Sequence, residues 1–484
     1  MINIKIVLKI LGILLFLEAF LLLVCSLFPL FYHEDDLVPF LLSAGITTAV
    51  GMVLFLIGRN ASKQMNRKDG YLVVTFSWIL FASLGTLPFL LGGYIDTVTN
   101  AFLETMSGFT TTGASIIDNL EALPHGILFW RSLTQWFGGL GIVFFTIAVL
   151  PIFGSSGMKM FAAETTGPTH SKLHPRLDVM GRWIWTVYLV ITLTLFVLLL
   201  LGDMPWFDSI CTALSTTATG GYSVRQDSLA AYNSIYIEYI VTLFMIISGI
   251  NFALIYVSIL KRKPMRLLHD TEFRWYIGIY MVITGIVTVL LYIHTPMQLE
   301  PCFRYAAFQV ASTQTTTGFA TADYMQWPPS TWLLICIAMM VGACSGSTSG
   351  AMKSIRIAMV WRIIKNQFKH MVHPNAVLPL RINGVVISNE IKTTLLAFFV
   401  TYFGLILLGW CFMLIVGVPF VDGFGITVSS LGNVGPGLGL CGPAFSWNSL
   451  PDAAKWAASA LMLIGRLELF TVLILFTPEF WKKR

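Results

Sequence analysis

Four uncharged stretches of threonine and glycine are the residues of this sequence best suited to chemistry. They read Thr110-Thr111-Thr112-Gly113-Ala114-Ser115, Thr217-Ala218-Thr219-Gly220-Gly221-Tyr222, Thr315-Thr316-Thr317-Gly318-Phe319-Ala320 and Gly432-Asn433-Val434-Gly435-Pro436-Gly437. Aligned on Gly113, Gly220, Gly318 and Gly435, they recur about a hundred residues apart, with Ser107, Ser215, Ser312 and Ser429 five or six positions upstream. They offer carbonyl and hydroxyl oxygen without charge. Rings of carbonyls replace the hydration shell of a bare cation, and glycine reaches the backbone angles that aim a carbonyl inward without a Cβ penalty. None of the four holds a carboxylate, the donor that Ca²⁺ and Mg²⁺ favour, so the chemistry indicated is the binding of a dehydrated monovalent cation. A single Thr-Thr-Thr-Gly is more often a helix end with a glycine cap. Four at matching positions point to one shared path.

Non-helical backbone at membrane depth is tolerated only where it is buried in protein or lines a water-filled path. Each turn follows a segment, such as 98–109 or 207–216, too short to span a hydrocarbon core about 30 Å thick, which reads as a re-entrant half-helix. Its C-terminal end directs partial negative charge at the path. Longer apolar helices flank the turns in pairs, at 70–94 and 127–150, 183–201 and 235–260, 275–293 and 331–361, and 391–418 and 453–476. Two more, at 4–31 and 38–58, come first, joined by an acidic turn at 33–36. The expected architecture is an all-α polytopic membrane protein: four pseudo-symmetric helix–re-entrant pore loop–helix units around one ion path, plus two leading transmembrane helices. That makes ten spanning helices and four half-helices. The leading pair occupies 1–69, and the units occupy 70–160, 161–265, 266–370 and 371–484.

Composition excludes the main rivals. Of 484 residues, 56% are hydrophobic and 11% charged, with a mean hydropathy of +0.77; soluble domains run at about 45–50% and about 25%. A water-soluble globular enzyme is ruled out. Unbroken runs such as 6–28 lack the alternation of barrel strands. Basic residues gather in alternate connections, at 59–68, 159–182, 261–274, 353–392 and 482–484, while acids such as Asp36, Asp118, Asp203 and Asp323 fill the others. Insertion leaves Lys and Arg on the cytoplasmic side, which places both termini there. The first helix exceeds a signal-peptide core and lacks a cleavage site. Seven scattered cysteines without a Cys-x-x-Cys read as small buried hydrophobes.

The second helix of the third unit is interrupted by a stretch from Gly342 to Ala351 that contains Gly346, Ser347, Thr348, Ser349 and Gly350. Glycine costs a helix about 1 kcal/mol relative to alanine. The stretch is either a close helix contact through small residues or an unwound loop that blocks the path until it moves. Arg466 stands two residues before Glu468 in an otherwise apolar helix, where a charge faces a cavity or a partner. It either forms a structural ion pair or lies below the turns, bonding to loop carbonyls and repelling cations while the path is shut. Lys353 reads as an interfacial anchor, and Gln135 and Asn251 as packing or interhelical hydrogen-bonding residues.

The four turns, the four units and the ending Gly465-Arg466-Leu467-Glu468-Leu469-Phe470 resemble the Trk/Ktr/HKT superfamily of potassium transporters, and the two leading helices are similar to its bacterial TrkH branch. The resemblance covers essentially the whole chain. It implies a potassium-selective uptake pore in the bacterial cytoplasmic membrane, with potassium bound at Thr111, Thr112, Gly113, Ala218, Thr219, Gly220, Thr316, Thr317, Gly318, Asn433, Val434 and Gly435. Glycine at the aligned position in all four turns goes, in that family, with potassium selectivity. The resemblance assigns Gly346, Ser347, Thr348, Ser349 and Gly350 to an intramembrane gate, to which the second reading of Arg466 adds that residue. It also implies a homodimer embedded in lipid and a cytosolic TrkA-type ring that carries the regulating nucleotide, with no cofactor on this chain and no nucleic acid partner. The fourth turn departs from the pattern through Asn433, Val434 and Pro436, and such short filter stretches imply modest discrimination against sodium or rubidium.

A potassium symporter coupled to protons or sodium is the nearest alternative, since broken helices and repeats serve transporters too. An intramembrane serine hydrolase using Ser345 or Ser347 needs a histidine base within reach. All eight histidines fall in loops or at helix ends, and no His-Glu-x-x-His motif is present.

Overall fold

Four times over, the chain runs through a long outer helix, a short helix, a tight turn and an inner helix. The computed structural model describes residues 2–61, 65–141, 177–260 and 265–482. The outer helices are Arg67–Leu84, Leu177–Leu200, Thr271–His294 and Asn389–Ile415. Polar caps start three of them: Asn66 and Asp69 form a reciprocal capping box, Asp270 accepts the N–H groups of Glu272 and Phe273, and Ser388 accepts that of Ile391. The short helices are Val98–Phe109, Trp206–Ala218, Leu299–Gln314 and Phe420–Gly432. At 1.5 Å per residue they reach only about 18–24 Å, so they enter the membrane without crossing it.

The leading helices Ile4–Cys25 and Leu37–Ile57 pack closely through glycine. A Cβ on Gly12 would lie 2.6 Å from the carbonyl oxygen of Gly51. In the second of them only Phe40, Ser43, Ala44, Thr47 and Gly51 are buried, one narrow stripe at helical spacing. Most of its other residues are exposed, as a lipid-facing helix requires.

Six helices are long and apolar enough to cross a membrane without a break, among the described residues. Two further spans are bent pairs, Ile235–Ser248 with Phe252–Ser258 at 95° and Asp452–Arg466 with Phe470–Phe476 at 109°. These bends correct the sequence reading, which broke only the third inner helix. At the first bend the Asn251 side chain accepts from the N–H groups of Ala253 and Leu254 and starts the second piece, while Phe252 N donates to the Gly346 carbonyl. At the second bend Glu468 and Leu469 both take positive φ, 56° and 57°. The third inner helix runs Pro329–Val341, breaks, and resumes at Ser354–Val372. The first, His125–Gly139, accounts for part of the expected 127–150 helix.

Positions 142–150, most of the connection at 152–182, and Lys63, Lys159, Lys172, Arg176, Lys261, Arg262 and Lys263 lie outside the described residues. The connection at 366–390 holds a two-stranded hairpin in which Arg381 pairs with Val386 and Ile382 with Val385. Its turn is Asn383-Gly384, both at positive φ, the pairing that two-residue hairpins favour. Six of the seven cysteines are buried as expected, but Cys411 is exposed on the fourth outer helix.

Candidate functional site

Each short helix ends in the same motif. The residue in the left-handed region is Thr111, Thr219, Thr316 or Asn433, with φ between 53° and 57°. The next N–H reaches back five residues, Thr112 to Ser107, Gly220 to Ser215, Thr317 to Ser312 and Val434 to Ser429, at 2.8, 2.9, 2.8 and 3.0 Å. This is the Schellman closure, usually built on glycine. Threonine there is a genuine outlier, because a β-branched side chain crowds its own backbone at positive φ. Such conformations cluster where function demands them.

Two residues on, a glycine again takes positive φ: Gly113 at 85°, Gly221 at 82°, Gly318 at 86° and Gly435 at 101°. The second turn therefore aligns on Gly221, one residue beyond the expected Gly220. The upstream serine carries the signal in the sequence: counted from Gly221 it lies six residues back, as it does in the other three turns. The four glycines close a ring. A Cβ on Gly113 would lie 2.1 Å from the Gly220 carbonyl oxygen, on Gly221 2.0 Å from that of Thr317, on Gly318 2.2 Å from that of Val434, and on Gly435 2.6 Å from that of Thr112. Each glycine thus makes room for the carbonyl of the next unit, and the sequence of units returns to its start. A cavity of about 90 Å³ is lined by all four glycines.

The ring departs from fourfold symmetry along its diagonals. In the first and third turns a hydroxyl pair sits behind the ring, Thr110 with Thr112 at 2.8 Å and Thr315 with Thr317 at 2.7 Å. The second and fourth turns have Ala218 with Gly220 and Gly432 with Val434 at these places, and amide side chains serve instead. Gln135 Nε2 donates to the Gly220 carbonyl at 2.7 Å. Asn433 Nδ2 donates to Thr112 Oγ1 at 3.0 Å and to the Met462 carbonyl at 2.8 Å.

Behind the first two turns lies a buried network that sequence reading missed. Arg131 donates from Nε to Glu104 at 2.8 Å and from Nη1 to the Ser223 carbonyl at 2.9 Å, and its guanidinium lies 4.1 Å from the Tyr222 ring centre. Tyr222 Oη donates to the Glu104 carbonyl at 2.6 Å. Arg131 and Glu104 are 27 residues apart on different helices, so no local pattern announces the pair.

On the other side of the ring, the broken stretch at 342–353 is tied to every unit. Gly350 N donates to Thr316 Oγ1 at 2.7 Å, Thr348 Oγ1 to the Thr217 carbonyl at 3.2 Å, and Ala351 N to the Gly432 carbonyl at 3.0 Å. Ser347 Oγ donates within the loop to the Cys344 carbonyl at 2.6 Å and shares a hydrogen bond with Ser349 Oγ at 3.0 Å. A Cβ on Gly346 would lie 2.9 Å from the Asn251 amide. Arg466 donates to the Thr348 carbonyl at 2.7 Å and to the carbonyls of Gly138 and Gly139 at 2.8 and 3.1 Å, which brings in the first unit.

Two neighbouring charges, Glu468 and Lys353, depart from expectation, and sequence reading missed a third, Glu272. Glu468 pairs with Arg356 and leaves Arg466 to the carbonyls. Lys353 is buried, with Nζ donating to the Ser349 carbonyl, so it belongs to the loop and is no interfacial anchor. Glu272, at the start of the third outer helix, accepts from the Ser345 N–H and, at 3.0 Å, from its hydroxyl.

Residues 40–483 match the TrkH family, described as cation transport protein. The chain is 34% identical over 479 residues to the Trk system potassium uptake protein TrkH of Salmonella typhimurium, covering 98% of this chain and 99% of that one. It is 31% identical over 489 residues to the Trk system potassium uptake protein TrkG of Escherichia coli, covering 99% of each. The crystal structure of the potassium transporter TrkH from Vibrio parahaemolyticus superposes with a TM-score of 0.90 at 32% identity, over 99% of both chains.

Proposed function

The chain belongs to the TrkH family of cation transport proteins, and on that premise we propose that it is a potassium-selective uptake pore of the bacterial cytoplasmic membrane, a transport protein and not an enzyme. The observation that carries the reading is the closed ring in which four glycines each face the next unit's carbonyl. The ion-binding residues are Thr111, Thr112 and Gly113, Thr219, Gly220 and Gly221, Thr316, Thr317 and Gly318, and Asn433, Val434 and Gly435, with Ala218 one step below its place in the earlier alignment. Carbonyls held by such geometry take over the role of hydration water for an alkali cation. The absence of carboxylate from all four turns favours a monovalent ion.

The loop at 346–350, latched by Arg466, is the gate. Each bond that holds it is worth about 0.5–1.5 kcal/mol net, and more where a charge takes part. Moving a gate from mostly shut to mostly open requires about 5.5 kcal/mol of differential binding. A cytosolic partner supplies it: the nucleotide-binding ring that the family resemblance implies, acting on a homodimer whose two termini face the cytoplasm.

Purified protein in liposomes, with flux of potassium and sodium read separately, tests the proposal. Potassium exceeds sodium in the parent, and Gly318→Ser, whose side chain meets the Val434 carbonyl, abolishes the preference. Equal flux of the two ions in the parent refutes the reading. Coupling to protons, the alternative mechanism, shows itself as a reversal potential that shifts between two pH values.

A further inference from the structure

We infer that Gln135, a residue of the first unit's inner helix, is a positioning residue for the second strand of the ring and sets discrimination between potassium and sodium. The inference rests on the filter reading above. In three turns the residue before the ring glycine carries a β-branched side chain, Thr112, Thr317 or Val434, that fills the space behind the strand. In the second turn that residue is Gly220, with no side chain. The Gln135 amide occupies the vacant place: a Cβ on Gly220 would lie 2.4 Å from its Cδ and 2.5 Å from its Oε1.

The amide is fully committed to this strand. Its Nε2 donates to the Gly220 carbonyl at 2.7 Å, and its Oε1 accepts from Ser215 Oγ and, at 3.0 Å, from the Tyr222 N–H. Gln135 therefore grips the strand just before, within and just after the turn. Among the described residues, the Gly220 carbonyl is the one member of the ring of four that receives a side-chain hydrogen bond. An N–H on a carbonyl fixes its direction and draws off part of its negative charge, the two quantities that decide how well a carbonyl ring fits one alkali cation over another.

One turn further along the same helix, the carbonyls of Gly138 and Gly139 accept from Arg466. The helix that holds the second strand is thus the one on which the arginine latch closes.

The test measures potassium and sodium flux in liposomes for Gln135→Ala, the double variant Gln135→Ala/Gly220→Thr, and Gly318→Ser. Gln135→Ala lowers the potassium-to-sodium ratio roughly fivefold, the loss expected for one buried hydrogen bond. In the double variant, threonine reproduces the residue of the first and third strands in the space vacated by the amide and restores most of the ratio. A mere packing role predicts lower stability with the ratio unchanged. An unchanged ratio in Gln135→Ala, or a double variant no better than the single, overturns the inference. Should Gln135→Ala fail to fold, the double variant alone decides: a ratio near the parent's supports the inference, and a ratio several-fold lower overturns it. If Gln135→Ala and Gly318→Ser both leave the ratio untouched, the filter reading itself has failed. If only Gly318→Ser changes it, that reading stands and the role of Gln135 falls.

Discussion

Arg466 donates from Nη1 to the carbonyl oxygen of Thr348 at 2.7 Å, so a cation fixed in the fourth unit's inner helix holds the midpoint of the third unit's loop. Its second nitrogen reaches the first unit at Gly138 and Gly139. Hydrogen bonds to a charged donor contribute about 1.5–3 kcal/mol each, and a like charge below the ring opposes cation entry. Arg466→Ala should therefore raise basal potassium flux about tenfold or more. Arg466→Lys keeps the charge but lacks the planar fork that bridges two units, and should fall between. Unchanged flux in Arg466→Ala, at equal expression, leaves the arginine a structural role only.

Glu272 and Ser345 hold the entrance of the loop by two hydrogen bonds, one to the backbone and one to the side chain. Ser345→Ala removes one of them, and Glu272→Ala removes both and frees the loop end. Basal flux should rise in that order, by about threefold and about tenfold. The double variant should match Glu272→Ala alone, because residues that share one interaction are not additive. Additive effects in the flux assay would show that the two residues act separately.

The turns, the short helices and the interrupted stretch at 342–351 were legible because each leaves a local mark: a repeated Thr-Gly pattern, an apolar run of deficient length, a cluster of helix-breaking residues. Arg466 was legible as a charge where charge is costly. The register of the second turn was not, since Gly220-Gly221 offers two glycines and the serine spacing alone separates them. The bends at 249–251 and 467–469 leave only faint marks, Gly249 and Asn251 at the first and Glu468 at the second, within otherwise apolar runs. Tertiary contacts make them, among them the bond from Phe252 N to the Gly346 carbonyl. Lys353, Glu272 and Arg131 were misjudged or missed for a related reason. Glu272 and Arg131 bond to residues distant in the chain, which no local spacing records, and Lys353 turns its ammonium back to the Ser349 carbonyl within the unwound loop.

Thr111 and Thr316 take the same left-handed conformation, φ 53° and 57°, but only Thr316 Oγ1 accepts from the loop, at 2.7 Å from Gly350 N. The left-handed region costs a residue with a Cβ about 1–2 kcal/mol. Thr111→Gly should therefore raise the melting temperature of the detergent-solubilised protein and leave the shut state intact. Thr316→Gly gains the same relief but unties the loop, so its basal flux should rise about fivefold. Equal flux in the two variants would remove Thr316 from the gate.

Asp36 ties stability to pH at the end of the first inner helix away from the loop at 342–353. Its carboxyl is buried between the leading helices and the start of the first inner helix, where a Cβ on Gly126 would lie 2.2 Å from Oδ2. Burial pushes its pKa from 3.8 up to about 6; the nearby Glu34 adds to the rise, and His125 and the N–H groups of Asp36 and Ile127 oppose it. Glu34 is itself held by His125, whose Nδ1 lies 2.7 Å from Oε1. With the folded value above the unfolded one, this group's contribution to stability is fully present below pH 4 and is lost as pH rises through about 6. Above that window the folded protein carries a poorly solvated carboxylate, and Asp36→Asn removes it. The variant should melt higher than the parent at pH 7.5 and show no such advantage at pH 4.5, as read by thermal unfolding in detergent at the two pH values. A variant less stable than the parent at pH 7.5 would mean that the carboxylate is held there by favourable contacts, and the predicted sign would be wrong.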